Sequence, residues 1–323
     1  MTASPAPDSP AALLDLARAG ERSALARLLS LVERGGPPAR EIGRSAFQAA
    51  LDGWTVGITG APGAGKSTLT GALVGVVRAD GPDVAVLAVD PSSPFTGGAI
   101  LGDRVRMADH ALDPGVFIRS MATRGHLGGL ALAAPEAVRV LQAVGFPWVV
   151  VETVGVGQVE VDIAGSADTT VVVVNPGWGD AVQANKAGLL EIADVFVVNK
   201  ADRPGADDTR RDLEAMLELA ARGSGAWRPP IVLTDALSGR GVDRLWTELN
   251  RHRDHQLATG DGARRRDRRL GDELGRIVVE RLRARADRLR HGPTFERTLA
   301  AVRAGRLDPW AAADELLGEP DAG

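Results

Sequence analysis

The sequence contains no cysteine, and this absence excludes two classes of protein at once. Disulfide-stabilised folds and thiolate metal centres both require cysteine, so neither is available to this chain. Only five histidines occur among the 323 residues, and they are scattered. With 44% hydrophobic and 25% charged residues, the composition is instead that of an ordinary globular protein with a sizeable core.

Long hydrophobic runs and a strong net charge are also missing. No apolar run approaches the roughly 20 residues that a membrane-spanning helix needs, and residues 1–10 lack the apolar core of a secretory signal. The formal net charge is −4, which creates no field that would attract nucleic acid or an anionic membrane. We therefore expect a soluble, cytoplasmic protein without a membrane or nucleic-acid partner.

The middle of the chain contains short, valine-rich segments that alternate with helix-like stretches. Such nearly continuous apolar segments are typical of strands buried on both faces of a parallel sheet. The pattern predicts an α/β fold with a mostly parallel, doubly wound sheet, and in such sheets ligands bind beyond the carboxyl ends of the strands. The predicted strands are Thr55–Thr59, Val84–Val89, Val116–Ser120, Trp148–Val151, Thr170–Val174, Val195–Val198 and Ile231–Thr234.

Helical patterns flank this region on both sides. We predict an N-terminal helical extension over 1–50, a central α/β domain over 51–250 and a C-terminal helical region over 251–323. Many arginines crowd residues 264–290, but aspartates and glutamates are interleaved with them. This alternation favours a long, salt-bridged helix over a nucleic-acid-binding surface.

A complete phosphate-binding loop follows the first predicted strand. The segment 60–67 reads GAPGAGKS, which matches G-x-x-x-x-G-K-S at every fixed position and opens an apolar helix. Its backbone N–H groups and the helix N-terminus are suited to bind phosphates. Lys66 is predicted to contact the terminal phosphates, and the Ser67 hydroxyl to bind magnesium. The predicted phosphate contacts are Gly60, Gly63, Ala64, Gly65, Lys66, Ser67 and Thr68.

An N-K-x-D motif follows the predicted strand 195–198 and indicates guanine as the base. The Asp202 carboxylate can accept hydrogen bonds from the N1–H and amino groups of guanine, a donor pair that adenine lacks. Asn199 is predicted to serve N7 and positioning, and the stem of Lys200 to pack over the ring. The motif therefore predicts a GTPase.

A further base contact is predicted after the last strand. GTPases usually carry Ser-Ala at this place, and here the segment is Thr234-Asp235-Ala236. Ala236 occupies the alanine position, so its backbone contact with the base is expected to survive. Asp235 replaces the serine.

Acids end two other predicted strands. Asp90 follows the strand 84–89, and Glu152 follows the strand 148–151 within ETVGVGQ. Glu152 and Gly155 form an E-x-x-G in place of the usual D-x-x-G. The acid is predicted to hold the magnesium shell through water, and the Gly155 N–H to sense the terminal phosphate.

Taken together, these motifs resemble the MeaB/ArgK GTPases, which are chaperones of adenosylcobalamin-dependent acyl-CoA mutases. The resemblance runs from about Leu13 to Leu317. Its specific stretches are GAPGAGKST (60–68), DPSSPFTGGAILGDRVRM (90–107), RSMATRGHLGGLA (119–131), ETVGVGQ (152–158), PGWGDAVQANKAGLLEIADVFVVNKAD (176–202) and GRLDPWAAADELL (305–317).

The resemblance implies roles for individual residues and a function for the whole chain. Catalytic roles are implied for Lys66, Asp103, Glu152 and Lys186, and metal-shell roles for Ser67, Asp90, Asp103 and Glu152. Loop 176–188 would communicate with the mutase, and the C-terminal helices would form a dimerisation arm. The implied function is a GTP-hydrolysing chaperone that gates adenosylcobalamin loading or protection of methylmalonyl-CoA mutase or a close relative.

Three functions of different classes remain open at this point. A P-loop kinase for a small molecule shares the phosphate loop, although N-K-x-D argues against it. A metallochaperone GTPase of the nickel type usually needs a Cys/His site or a His-rich tract, which this chain lacks. The third possibility is a binding module that stabilises a mutase and whose GTPase activity is incidental.

Overall fold

The computed structural model describes residues 9–47, 50, 53–90, 110, 112–122, 127–153, 167–177, 191–219 and 227–318. The helices of this part of the chain are α1 (Pro10–Arg18), α2 (Arg22–Arg34), α3 (Gly36–Phe47), α4 (Lys66–Asp80), α5 (Leu127–Val144), α6 (Ala206–Leu219), α7 (Val242–Thr259), α8 (Asp261–Leu289), α9 (Pro293–Arg303) and α10 (Pro309–Leu317). The strands are β1 (Trp54–Gly60), β2 (Val84–Asp90), β3 (Val116–Ala122), β4 (Trp148–Thr153), β5 (Thr169–Val174), β6 (Val195–Asn199) and β7 (Ile231–Thr234).

The strands form one seven-stranded sheet in the order β3-β2-β4-β1-β5-β6-β7. Every pairing between these strands is parallel. All seven predicted strands and the mostly parallel sheet are confirmed. Because the strands are parallel, all their carboxyl ends lie at one edge of the sheet, the carboxyl edge, and their starts lie at the opposite amino edge.

Successive residues of each strand point to opposite faces, and helices cover both faces. On β4, Val149 and Val151 pack with helices α1, α2, α3 and α5, whereas Trp148 and Val150 pack with α4 and α7. On β6, Phe196 and Val198 pack with α6. This two-sided burial explains why the strands are apolar at nearly every position, and it makes the sheet doubly wound.

The N-terminal helices form because their apolar residues recur at helical spacing. In α2, Leu25, Leu28, Leu29 and Val32 form one buried stripe. The helix ends at Arg34, and the next residue, Gly35, has a φ of 71°, in the left-handed region that favours glycine. This packing attaches the predicted N-terminal extension to the face of the sheet that α5 also covers.

Two compact units divide the chain, Met1–Asp267 and Arg268–Gly323. The division falls within α8, whereas residue 250, the boundary predicted from the sequence, lies within α7. The predicted long charged helix corresponds to α8, and the predicted short helices after it correspond to α9 and α10. Among the residues that the structure describes, no helix is both long and apolar enough to cross a bilayer.

Candidate functional site

The phosphate-binding loop connects the end of β1 to the start of α4. Gly60 and Gly65 have φ angles of 138° and 89°. A Cβ on Gly60 would stand 2.0 Å from Val173 O, and one on Gly65 would stand 2.5 Å from Asn199 Nδ2. Both positions therefore exclude a side chain, because the loop passes close to β5 and to the end of β6.

Lys66 is held inside this loop although its side chain is charged. The residue is buried, and its Nζ donates to Gly60 O at 2.8 Å and to Ala61 O at 3.1 Å. A buried ammonium requires such partners. The contacts place the positive charge against the loop backbone, at the start of α4, where the N–H groups of the helix end also favour an anion.

Ser67 and Glu152 meet at the carboxyl edge. Ser67 Oγ donates to Glu152 Oε1 at 2.5 Å, and both residues are buried. The pairing of β1 with β4 brings the two side chains together, because Glu152 lies opposite Ile58 of β1 and the phosphate-binding loop begins at the end of β1. A hydroxyl and a carboxylate oxygen thus lie side by side next to the phosphate loop.

Asn199 connects the phosphate loop with the segments that the sequence predicts to read the base. Its Nδ2 donates to Ala64 O at 2.8 Å, while its Oδ1 accepts from Thr234 Oγ1 and from Ala236 N, each at 3.1 Å. The residue is 2% exposed. Its amide is therefore fixed by contacts with the phosphate-binding loop, with the end of β7 and with the segment that follows β7.

Lys200 and Asp202, the two other residues of N-K-x-D, follow Asn199 at the end of β6. Lys200 adopts a φ of 60°, which is uncommon outside glycine, and its Nζ donates to Gly63 O at 2.7 Å. Ala201 N donates to Thr234 O at 2.9 Å and ties the motif to the end of β7. Asp202 is exposed, so its carboxylate is accessible to a base.

The structure brings together most of the predicted site and leaves some of it outside the described residues. Lys66, Ser67, Glu152, Asn199 and Lys200 all contact the phosphate loop or residues adjoining it, as the preceding distances show. The backbone of Asp90 ends β2 at the same edge, one residue beyond Val89, which pairs with Thr153 of β4. Asp103, Gly155 and Lys186 lie outside the described residues, as does the side chain of Asp90.

Thr234 is a site residue that the sequence reasoning missed. Its hydroxyl bonds to the Asn199 side chain, and its carbonyl accepts from Ala201 N. The signal available was a polar residue ending an apolar strand, which is common at strand ends and therefore weak. Its role becomes clear only from the pairing of Thr234 with Asn199 across β6 and β7.

A second group of buried polar residues lies at the amino edge of the sheet. Asp168 accepts from Thr55 N at 2.9 Å and from Arg266 Nε at 3.0 Å. Asp194 accepts from Thr170 N at 2.9 Å and binds Arg265 Nη1 with both oxygens, at 2.9 and 3.1 Å. The two acids immediately precede β5 and β6, and they fasten the beginning of α8 to the sheet.

His252 of α7 completes this amino-edge network. Its Nδ1 lies 2.8 Å from Thr169 Oγ1, and its Nε2 lies 3.3 Å from an Asp194 oxygen. Burial by itself would raise the pKa of Asp194, but the hydrogen bond and charge of His252, the charge of Arg265 and the Thr170 N–H together hold that pKa below its usual value. The carboxylate is therefore stabilised in its charged form.

The parallel sheet, the phosphate loop after β1 and the guanine motif after β6 define a P-loop nucleotide hydrolase of the GTPase class. Residues 25–290 match the family model described as "Methylmalonyl Co-A mutase-associated GTPase MeaB". The chain belongs to this MeaB family.

Similar proteins support the same assignment. A Pyrococcus abyssi protein named as a GTPase is 48% identical over 310 residues, which cover 95% of this chain and 95% of the relative. The mouse protein "Methylmalonic aciduria type A homolog, mitochondrial" is 33% identical over 319 residues, covering 92% of this chain and 76% of the relative. A solved structure described as "Crystal structure of LAO/AO transport system kinase" superposes with a TM-score of 0.72 at 27% identity and covers 98% of this chain and 99% of that chain.

Proposed function

We propose that this GTPase is a nucleotide-driven switch that gates adenosylcobalamin loading or protection of an acyl-CoA mutase, namely methylmalonyl-CoA mutase or a close relative. The observation that carries the proposal is the family match over residues 25–290, whose description names the mutase. The name of the mouse relative refers to methylmalonic aciduria and points to the same metabolism.

Magnesium binding is supported by the chemistry of the donor set. Ser67 Oγ and Glu152 Oε1 are adjacent oxygens, 2.5 Å apart, and magnesium prefers oxygen ligands. Ser67 would bind the ion directly, and Glu152, Asp90 and Asp103 would hold its water shell. When bound, the ion neutralises phosphate charge and supplies Lewis acidity at the terminal phosphate.

The residues of the chain contribute mainly positioning and charge. The Lys66 ammonium, now held by Gly60 O and Ala61 O, would turn to the terminal phosphates of GTP, and the loop N–H groups would bind the same oxygens. Lys200 and Asn199 hold the outer side of the phosphate loop, so base and phosphates are bound by one connected set of contacts.

Signalling to the mutase would use the loops that leave the carboxyl edge. Residues 90–107, 152–158 and 176–188 follow β2, β4 and β5, whose ends lie around the phosphate loop. Asp103, Gly155 and Lys186 belong to these loops. GTP would order them, and hydrolysis would remove the γ-phosphate contacts and release them.

A homodimer formed through the C-terminal unit is also proposed. Within residues 268–318 of that unit, Ala312 is the only buried apolar residue that the structure describes. In contrast, α8 exposes an apolar stripe at Leu270, Leu274, Val278 and Leu282. A helical unit this poor in core needs a partner surface for stability, and a second copy of the chain would supply it. Light scattering on the purified chain should give twice the monomer mass, and Leu274→Asp should halve it.

The mutase proposal can be tested with a change of nucleotide specificity. Xanthine carries an oxygen where guanine carries its amino group, so Asp202→Asn should weaken GTP binding and favour xanthosine triphosphate. Adenosylcobalamin transfer to purified methylmalonyl-CoA mutase should follow GTP with the wild type and xanthosine triphosphate with Asp202→Asn. Transfer that is independent of the nucleotide in both proteins would contradict the gate and favour a stabilising binding module.

Two assays on the purified protein distinguish the proposed switch from a small-molecule kinase and from a nickel chaperone. The word kinase in the name of the superposed structure describes that protein. A panel of GTP and ATP with amino-acid acceptors should show GTP turnover to free phosphate and no phosphorylated acceptor. Among the described residues, no three His, Cys, Asp or Glu side chains are grouped so as to hold a metal. Stoichiometric nickel binding by the purified chain would nevertheless favour a nickel-type metallochaperone.

A further inference from the structure

Helix α4, which begins at the end of the phosphate-binding loop, contains two glycines in its interior. A glycine inside a helix is destabilising relative to alanine, so two of them in one helix call for a structural reason. Gly71 and Gly75 are four positions apart and therefore lie one above the other on the same face of α4. The absence of side chains at both positions leaves a recess on this face.

The half-buried ring of His110 occupies this recess. Its Nε2 lies 3.0 Å from Gly71 O, and a Cβ on Gly75 would stand 3.4 Å from its Cε1. Because a carbonyl oxygen only accepts hydrogen bonds, Nε2 carries the proton of this contact. A peptide oxygen has two lone pairs, so Gly71 O can accept from His110 in addition to its bond within the helix. The imidazole is thus bound to the backbone of α4.

A second contact fixes the same turn of the chain to the same face of α4. Arg78, seven positions after Gly71, binds the Asp113 carboxylate through Nε at 2.9 Å and through Nη2 at 3.1 Å. The Asp113 N–H donates to His110 O at 3.2 Å, so both anchors belong to one turn that leads into β3. Of the two anchors, His110 is the one that contacts α4 nearer to its start.

The position of His110 in the chain connects this anchor with the magnesium site. Gly71 follows Ser67 by four residues, which is a rise of roughly 6 Å along the helix. Asp103, which is predicted to hold the magnesium shell, precedes His110 by seven residues, a length of chain that spans at most about 25 Å. The contact with Gly71 O therefore keeps the chain that carries Asp103 within reach of the Ser67 hydroxyl.

We propose that His110 is a positioning residue for the magnesium site, because its bond to Gly71 O holds the chain that carries Asp103 beside the start of α4. The proposal rests on the magnesium site proposed above and does not depend on a mutase partner. A chain that is anchored beforehand loses less conformational freedom when the ion binds. The anchor should therefore raise the affinity for magnesium in the presence of nucleotide.

A magnesium titration of nucleotide binding tests the proposal without relying on hydrolysis. The affinity for a fluorescent, non-hydrolysable GTP analogue is measured in EDTA and at increasing magnesium concentrations. His110→Ala should raise the magnesium concentration that gives half of the gain in affinity roughly fivefold to tenfold, because one hydrogen bond is lost. Its affinity for the analogue in EDTA should stay within twofold of wild type, because the phosphate-binding loop is unchanged.

Two further substitutions at the same position distinguish the hydrogen bond from the volume of the ring. His110→Gln places an amide N–H where Nε2 lies and should restore the magnesium requirement to within twofold of wild type. His110→Asn is too short to reach Gly71 O and should behave like His110→Ala. As a matched control, His291→Ala removes an exposed contact between a ring nitrogen and Asp287 O, 2.7 Å long, in the C-terminal unit. It should change neither measurement.

The outcomes separate the role of His110 from the magnesium site itself. A wild type whose nucleotide affinity did not depend on magnesium would overturn both. Equal magnesium requirements in wild type and His110→Ala, or equal requirements in His110→Gln and His110→Asn, would overturn the role of His110 alone. The same holds if His110→Ala loses as much affinity in EDTA as in magnesium, because His110 would then support only the fold.

Discussion

The two edges of the central sheet both carry buried polar residues, yet they use them differently. At the carboxyl edge, Lys66 and Asn199 bind mostly backbone atoms of the phosphate-binding loop and of the segment after β7. At the amino edge, Asp168 and Asp194 bind arginines and backbone N–H groups that belong to the body of the protein. The first edge is arranged to receive a ligand, and the second fastens the beginning of α8, at Arg265 and Arg266, to the sheet.

Burial and charge alone therefore do not identify a functional site in this molecule. Asp194, with its lowered pKa and neighbouring His252, has the features by which catalytic acids are often recognised. Its oxygens are nevertheless bound by Arg265, His252 and the Thr170 N–H. The carboxyl edge differs because glycine backbone and the accessible Asp202 remain to meet a ligand.

Removing Asp194 from the amino edge should produce the largest loss of stability. Asp194→Ala leaves Arg265 without its buried partner, which should lower the free energy of unfolding by about 3–5 kcal/mol. Urea unfolding followed by circular dichroism measures this change. Asp208→Ala on α6, which breaks an exposed pair with Arg211, should change stability by less than about 0.5 kcal/mol. Similar losses in both variants would contradict the difference between buried and exposed pairs.

At the carboxyl edge, Lys66→Ala should lower activity strongly and stability only slightly. Removal of the ammonium should lower kcat for GTP roughly 100-fold to 1,000-fold, because the terminal phosphates lose their charged partner. Phosphate release measures the rate, and thermal unfolding should shift much less than in Asp194→Ala. The half-buried Lys200 supplies a comparison, since Lys200→Ala should weaken binding without a comparable loss of kcat. Collapse of the fold in Lys66→Ala would show that the two edges are not functionally distinct.

Asn199→Ala should lower both the stability of the fold and the affinity for GTP, each to a moderate extent. The change leaves Ala64 O and the Ala236 N–H without a buried partner, which should lower the free energy of unfolding by about 1–3 kcal/mol. GTP affinity should fall as well, because the phosphate-binding loop and the segment after β7 lose the connection through the Asn199 amide, and only the contact of Lys200 with Gly63 O remains. Calorimetric binding and urea unfolding on the same sample provide both numbers. A loss confined to binding would mean that the amide contributes nothing to the fold.

Acidification should gradually remove the stability that the Asp194 carboxylate contributes at the amino edge. The pKa of Asp194 is lower in the folded chain than in the unfolded chain, so its stabilising contribution is present above the unfolded value of about 3.9 and is lost as the pH falls through the folded value. Unfolding free energies measured between pH 7 and pH 3 should therefore fall less steeply in Asp194→Asn than in the wild type. If the unfolding free energy of both proteins fell equally steeply with pH, carboxyl groups other than Asp194 would cause the acid sensitivity.

The sequence was sufficient for the strands and the nucleotide motifs because both are local patterns. The valine-rich segments predicted all seven strands, and the structure extends most of them by a residue or two. The phosphate loop could be read from 60–67 because its function requires fixed residues at fixed spacing.

Contacts between distant residues could not be read in the same way. Arg266 reaches Asp168 across 98 positions, and Arg265 reaches Asp194 across 71. In the sequence these arginines are two among many in a charged stretch, and nothing local separates them from their exposed neighbours. Likewise, the sequence marks Asp235 as a departure from the motif, but only the structure shows that its carboxylate accepts from Leu237 N and Ser238 Oγ.

The close approach of Gly65 and Asn199 has a consequence for protein engineering. Because the amide of Asn199 occupies the space where a side chain at Gly65 would begin, neither loop can be replaced from another protein without the other. A chimera that imports an adenine-specific loop after β6 would also have to import a matching phosphate loop. Laboratory evolution toward a new nucleotide should accordingly yield paired changes in these two loops, while single exchanges should be recovered as insoluble or inactive clones.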